Sequence, residues 1–170
     1  MLTNQRILKE LSQEEGVRYD AYYCTAGHLT IGIGHNLEAE PVDKLIGRKL
    51  TSHSRIDQHE LEIIFNHDIK KMEADLDKHL SWWRDLPPFA QYVMLSLCFN
   101  MGIGGQVSKF PPKFNGLRGF QNTLARIKAQ DWRGAVAGLQ SSKWYKQVGN
   151  RGPKICNILL TGKFPDGGVS

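Results

Sequence analysis

No stretch of this sequence approaches the roughly 20 consecutive apolar residues that a membrane-spanning helix needs, so insertion into a bilayer through helices is not expected. The first residues, Met1-Leu2-Thr3-Asn4-Gln5-Arg6, lack the basic, then apolar, then small-residue order of a secretory signal. Synthesis and folding in a cytoplasm are the expectation. Cysteine is scarce: Cys24, Cys98 and Cys156 are far apart and odd in number, which points away from a disulfide framework and from a zinc knuckle and leaves reduced thiols as the default. Internal repeats and low-complexity tracts are missing too. What is present is ordinary for a globular domain, with 41% hydrophobic and 23% charged residues over 170 positions, enough to bury a real core. The net charge of +5 favours an anionic partner. The lysines and arginines are spread out, and no recognition-helix or base-stacking motif accompanies them, so nucleic acid is a weaker candidate than an acidic envelope surface.

Periodicity divides the chain. Ile7, Leu8 and Leu11 share a helical face, and Gly16 supplies the stop, which puts Glu14 and Glu15 in the last turn of a first helix, 3–15. Val17, Tyr19, Ala21 and Tyr23 alternate with Arg18, Asp20 and Tyr22 as a strand would. After a Thr25-Ala26-Gly27 turn, Leu29, Ile31 and Ile33 alternate with Thr30, Gly32 and Gly34. The glycines beside Thr30 read as a floor that a bulky ligand can approach. Asp57 and Glu60 make a capping-box pair ahead of Leu61, Phe65, Ile69, Met72, Leu76 and Leu80, which predicts a helix over 57–80 of about six turns. Asp68 sits on that apolar stripe and needs a partner. Beyond Pro87-Pro88, Phe89 to Met101 is apolar nearly all round, as a buried central helix is. The glycine-rich stretch from Gly102 to Gly119 reads as a loop, and four short helices are predicted after it. The fold class is therefore α+β: a small lobe with a β-hairpin, about 15–56; a bridging helix; and an all-α lobe, about 81–170, with the first helix packing near it.

The most informative segment holds Glu15, then eight residues, Cys24, then five residues, Thr30. A carboxylic acid, a thiol and a hydroxyl thus lie between a helix end and a tight hairpin. Glycosidic cleavage needs an acid to protonate the leaving oxygen and a second group on the opposite face of an oxocarbenium-like centre. Glu15 suits the first role, because a helix C-terminus disfavours negative charge. Taken singly, each residue has an ordinary explanation: a solvated glutamate, a small buried cysteine, a strand threonine.

Their order changes the weighing. Glu15-Gly16, Tyr22, Thr25, Gly27 and Thr30-Ile31-Gly32-Ile33-Gly34-His35 resemble the signature of the tailed-phage lysozymes, the T-even phage endolysin family, whose spacing is Glu, eight residues, Asp or Cys, five residues, Thr. Phe99-Asn100-Met101-Gly102, Gly119-Phe120-Gln121-Asn122-Thr123-Leu124, Trp132, Ser142-Lys143-Trp144-Tyr145, Asn150-Arg151 and Thr161-Gly162 resemble the rest of that family in the same order. The resemblance implies a lysozyme-like fold and a catalytic set of Glu15 as acid, Cys24 in the second position and Thr30 positioning water. It also implies saccharide contacts at Phe99, Asn100, Thr123 and Asn36, with support from Arg151, which would pair with the acid, and from His35 and Asp68, a pair that would join the hairpin to the bridging helix. Departures are visible: Cys24 stands where Asp is common, Asn36 where leucine is, Asn100 where glutamine is, and the 103–119 segment is longer than the T-even turn.

The expected function is a muramidase that cleaves the β-1,4 bond between N-acetylmuramic acid and N-acetylglucosamine in bacterial peptidoglycan, needing no metal or other cofactor. By resemblance it lyses the bacterial host from the host cytoplasm, as a monomer, and relies on a separate membrane-permeabilising protein to reach the wall. Two rivals remain at this level. One is a non-catalytic peptidoglycan-binding module on the same fold. The other is a cysteine hydrolase pairing Cys24 with His28 or His35, for which no orienting Asn or Asp stands at a defined offset.

Overall fold

The hydrophobic pattern is realised in a computed structural model that describes residues 1–169. The chain divides into two units, Asn4–Lys71 and the residues from Met72 onward together with Met1–Thr3. The architecture is the lysozyme-like α+β class, with small antiparallel sheets and otherwise helices. In the first unit the first helix, α1 (Asn4–Glu15), groups with the strands that follow it. Gly16, at φ 76°, turns the chain from α1 almost directly into β1, so the two elements are neighbours by connectivity.

In the first unit, β1 (Arg18–Tyr23), β2 (Leu29–Gly32) and β3 (His35–Asn36) form an antiparallel meander. The third strand is an addition to the two that alternation predicts. Alternation also fails near the end of β1: Tyr22 is half-buried and Tyr23 is 62% exposed. The register against β2 shifts in this stretch, between Arg18 and Tyr22, which pair with Gly32 and Thr30. The outer edge of β1 is covered by the 54–56 segment, through Ala21 N to Ser54 O and Ile56 N to Tyr19 O, both 2.9 Å. A short helix, α2 (Asp43–Ile46), leads to the long helix α3 (Gln58–His79). Its start is a reciprocal capping box, with Glu60 N donating to Asp57 Oδ1 at 2.8 Å and Asp57 N to Glu60 Oε1 at 3.3 Å. The division between the units falls within α3, after Lys71.

The second unit is built on α4 (Pro88–Met101), in which Tyr92 to Cys98 are all buried. Pro88 at the first turn suits a position whose N–H needs no partner. Around it lie α5 (Gln121–Lys128), α6 (Trp132–Gln140), α7 (Lys143–Gln147) and α8 (Arg151–Thr161). Asp131 and Ser142 cap α6 and α7 by accepting from Gly134 N and Tyr145 N, and Gly162 ends α8 at φ 67°. The aromatic pairs Phe89–Trp132 and Tyr92–Phe164, each at 5.3 Å and edge-on, lock this packing. The segment expected to be a loop contains a second hairpin, β4 (Gln106–Lys109) and β5 (Pro112–Phe114). Its base is zipped by Leu117 N to Gly102 O and Asn115 N to Gly105 O. That approach requires glycine, since a Cβ on Gly104 would lie 1.8 Å from Asn115 O.

The glycine floor beside Thr30 is a second correction. Gly32 is buried, and a Cβ there would meet Leu61 Cδ1 at 3.2 Å, so this glycine serves the packing of β2 on α3 and offers no surface to a ligand. Its φ of 68° adds the left-handed penalty for any other residue. Gly32→Ala should therefore cost about 1–2 kcal/mol in urea unfolding. An unchanged midpoint would return Gly32 to the ligand-floor reading.

Candidate functional site

Glu15, Cys24, Thr30, His35, Asn36 and Asp68 all belong to the Asn4–Lys71 unit, whereas Phe99, Asn100, Thr123 and Arg151 belong to the other. Glu15 is the last residue of α1 and is partly buried. Cys24 follows β1 at the mouth of the hairpin. Its N–H donates to His28 O at 2.9 Å, and its carbonyl accepts from Gly27 N at 2.8 Å, so the turn is closed on both sides of the thiol. Thr30 lies on β2 opposite Tyr22 and Asn36. It is 4% exposed, and its hydroxyl donates to the same His28 carbonyl at 2.9 Å. The same hydroxyl lies close enough to Cys24 to favour its thiolate, and its lone pairs can accept from a water.

The three cysteines have different environments. Burial pushes the Cys98 thiol up to about 12 and the Cys156 thiol up to about 11. The Cys24 thiol is lowered instead, first by hydrogen bonding from the His28 backbone N–H, against a partial desolvation. The Ala26 N–H, the nearby Thr30 hydroxyl and the charge of His28 lower it further. His28 is itself held by a carboxylate: Nδ1 lies 3.0 Å from Glu38 Oε2, while Glu38 Oε1 accepts from Leu29 N at 3.1 Å. That hydrogen bond raises the histidine and lowers the glutamate. Glu38 is the residue that sequence reasoning missed. It is ten positions from His28, and only the pairing of β2 with β3 brings them together.

His35 carries a stronger constraint. Nδ1 lies 3.0 and 2.9 Å from the two Asp68 oxygens, and Nε2 lies 2.8 Å from Glu40 O. Both neighbours only accept, so the ring satisfies both by carrying a proton on each nitrogen. Burial alone would lower this histidine, but hydrogen bonding and charge from Asp68, with the Glu40 carbonyl, raise it on balance. The carboxylate in the apolar stripe of α3 has its partner. Beside it, Glu40 accepts from His67 Nε2 at 2.8 Å and from Lys71, which hold its carboxyl below the usual range, Lys71 first. Glu40, His67 and Asp68 place donor atoms within 4.8 Å of one another, the one such metal-capable group among the described residues. Their carboxylates are already engaged by Lys71, His67 and His35.

Several expected saccharide contacts have structural duties. Asn36 Oδ1 accepts from Glu38 N and Ala39 N, both at 3.0 Å, closing the turn after β3. Asn100 Oδ1 accepts from Trp144 Nε1 at 2.8 Å, tying α4 to α7. Thr123, 6% exposed, puts its hydroxyl where a Cβ on Gly138 would meet it at 2.4 Å, so it packs α5 on α6. Phe99 is partly buried near the end of α4. Arg151 opens α8 and is 8% exposed.

Comparison with known proteins decides the family: the phage lysozyme profile matches residues 12–157, from the end of α1 to within α8. The chain belongs to the phage lysozyme family. It is similar to the pre-baseplate central spike protein Gp5 of Enterobacteria phage T4, 29% identical over 180 aligned positions that cover 98% of this chain and 29% of Gp5. The chain therefore spans less than a third of that relative. It is also 23% identical to probable T4-type lysozyme 1 of Dictyostelium discoideum, over 89% of this chain and 92% of the relative. Probable T4-type lysozyme 2 of the same organism is 25% identical, over 92% and 94%.

Two outcomes are expected from this geometry. Iodoacetamide at neutral pH should add a single label to the native protein, at Cys24, because the other two thiols are buried and raised; peptide mass mapping that finds Cys98 or Cys156 labelled equally fast would contradict it. The histidine that is raised in the fold stabilises it fully below the unfolded value of about 6.5, and that contribution fades as pH climbs through the raised value. Asp68→Asn should accordingly cost about 1–3 kcal/mol below about pH 6.5 and progressively less above it. Chemical denaturation across pH measures this, and a cost independent of pH would indicate lost packing alone.

Proposed function

We propose that this member of the phage lysozyme family is a peptidoglycan glycosidase of muramidase type, cleaving the β-1,4 bond between N-acetylmuramic acid and N-acetylglucosamine. The observation that carries the reading is the hairpin itself, which holds Cys24 as a solvent-open thiol of lowered pKa one turn away from the Thr30 hydroxyl. In the family pattern that position holds Asp or Cys, and Asp is the common one. A thiol serves in its place only if it ionises near neutral pH, and backbone N–H groups aimed at the sulfur favour the ionised form. Glu15, at the C-terminal end of α1, is the acid that protonates the leaving oxygen. Cys24 faces the developing oxocarbenium charge, and Thr30 orients the water through its lone pairs. His28, steadied by Glu38, supports the thiolate as a positioning residue. The biological setting that fits is lysis of a bacterial host by a protein made in the host cytoplasm and passed to the wall by a separate membrane-permeabilising protein.

The Cys24, His28 and Glu38 arrangement also favours a second reading, a cysteine hydrolase acting on wall peptides, because a carboxylate-oriented histidine beside a low-pKa thiol is what that chemistry uses. The two readings part at one substitution. Cys24→Asp should keep most of the activity of a muramidase, where a carboxylate does the same electrostatic work, and should abolish a thiol hydrolase. Products from purified peptidoglycan separate them further, as new reducing ends for the first and free amines for the second. Glu15→Gln should lower the release of reducing ends by far more than tenfold while leaving the thermal midpoint intact or higher. Retention above about a tenth of the rate, a loss of under about 1.4 kcal/mol of barrier, would remove Glu15 from the acid role.

A further inference from the structure

Charge along this chain is strongly divided. Residues 1–85 carry eleven lysines and arginines against fifteen carboxylates, a formal −4, whereas residues 86–170 carry eleven against two, a formal +9. From Leu86 to Gln130 there is no acidic residue at all. In the middle of that acid-free stretch stands the hairpin β4–β5, and at its tip Phe110 is 85% exposed. Val107, on β4, is 62% exposed. Lys109 and Lys113, both exposed, flank the tip. At the hairpin base, Phe114 lines a groove of about 280 Å³ with Trp82, Arg118 and Lys128. The Arg118 guanidinium is stacked 4.4 Å above the Phe114 ring, which holds one positive charge in place beside the opening.

We propose that this hairpin is a docking element for an anionic lipid surface. Phe110 and Val107 enter the boundary between headgroups and acyl chains, Lys109 and Lys113 meet lipid phosphates, and the groove at Arg118 and Lys128 takes a phosphate-bearing headgroup. An apolar tip ringed by lysines is the chemistry of interfacial binding, in which each apolar side chain leaves water while the cations stay at headgroup level. An anionic wall polymer would use the lysines but has no apolar phase for Phe110, and this favours the lipid. The docking is peripheral, since no helix among the described residues is long and apolar enough to cross a membrane. The inference stands apart from the catalytic reading, because none of these residues belongs to the proposed catalytic set.

Co-sedimentation of the full chain with phosphatidylcholine vesicles, with and without phosphatidylglycerol, tests it. The protein should bind the anionic vesicles, weakly or not at all the neutral ones, and less as salt rises. A Val107→Ser, Phe110→Ser double variant and a Lys109→Glu, Lys113→Glu double variant should each lose about tenfold or more in apparent affinity for anionic vesicles. Binding to purified peptidoglycan sacculi and release of reducing ends from solubilised fragments should stay at the wild-type level in both, which also shows that the variants fold. Three results would overturn the proposal: anionic-vesicle binding unchanged in both variants, equal binding of the wild type to neutral vesicles, or loss confined to sacculi, which would make the hairpin a reader of wall polymer.

Discussion

The first unit depends on a single protonated histidine. His35 is 5% exposed, yet both of its ring nitrogens face acceptors, the Asp68 carboxylate on α3 and the Glu40 carbonyl in the loop after β3. A buried group that must keep its charge to satisfy its neighbours acts as a clamp, because rotating or deprotonating the ring leaves an acceptor unpaired in a region with little water. The clamp joins the last strand of the meander to the long helix. Glu40 reinforces it through His67 and Lys71, so the loop is pinned to α3 at two successive turns. The pairing of β3 with β2 hangs from this anchor, and through it the position of Thr30.

The hairpin that this anchor supports gives Cys24 surroundings that favour its thiolate. Hydrogen bonds from backbone N–H groups, aimed at the sulfur by a turn that Gly27 N and Cys24 N close, stabilise the thiolate. Cys98 and Cys156, chemically identical, are buried and raised, so the three thiols differ through their surroundings alone. The same hairpin binds His28 to Glu38, so the charge supporting the thiolate is itself supported. That arrangement suits the muramidase reading and gives the thiol-hydrolase rival its one specific foothold.

Function and packing compete for several of the same residues. Asn36 closes a turn, Asn100 holds Trp144, and Thr123 fills the space against Gly138, so part of a pattern that reads as saccharide contacts is used to build the scaffold. The β4–β5 hairpin is the opposite case. Its Phe110 and Val107 bury little within the chain, and the proposed docking gives them an apolar phase to enter.

Period and punctuation in the sequence were sufficient for the α-helices other than the four-residue α2. Asp57 with Glu60, Pro88, Asp131 and Gly162 mark their ends because capping is chemistry between residues a few positions apart. The spacing of Glu15, Cys24 and Thr30 was legible for the same reason, since it spans one helix end and one hairpin. The partnership of His35 with Asp68 was legible only through resemblance, as the two lie 33 positions apart. What tertiary structure alone decided were the contacts whose partners come from different elements. Glu38 reaches His28 only across paired strands, Tyr23 is exposed against its period in a strand whose register shifts, and Gly32 answers to Leu61 on α3 where sequence offered a ligand floor. In each case the deciding energy is steric or electrostatic contact between segments that local propensity treats separately, so it appears only when the chain has folded.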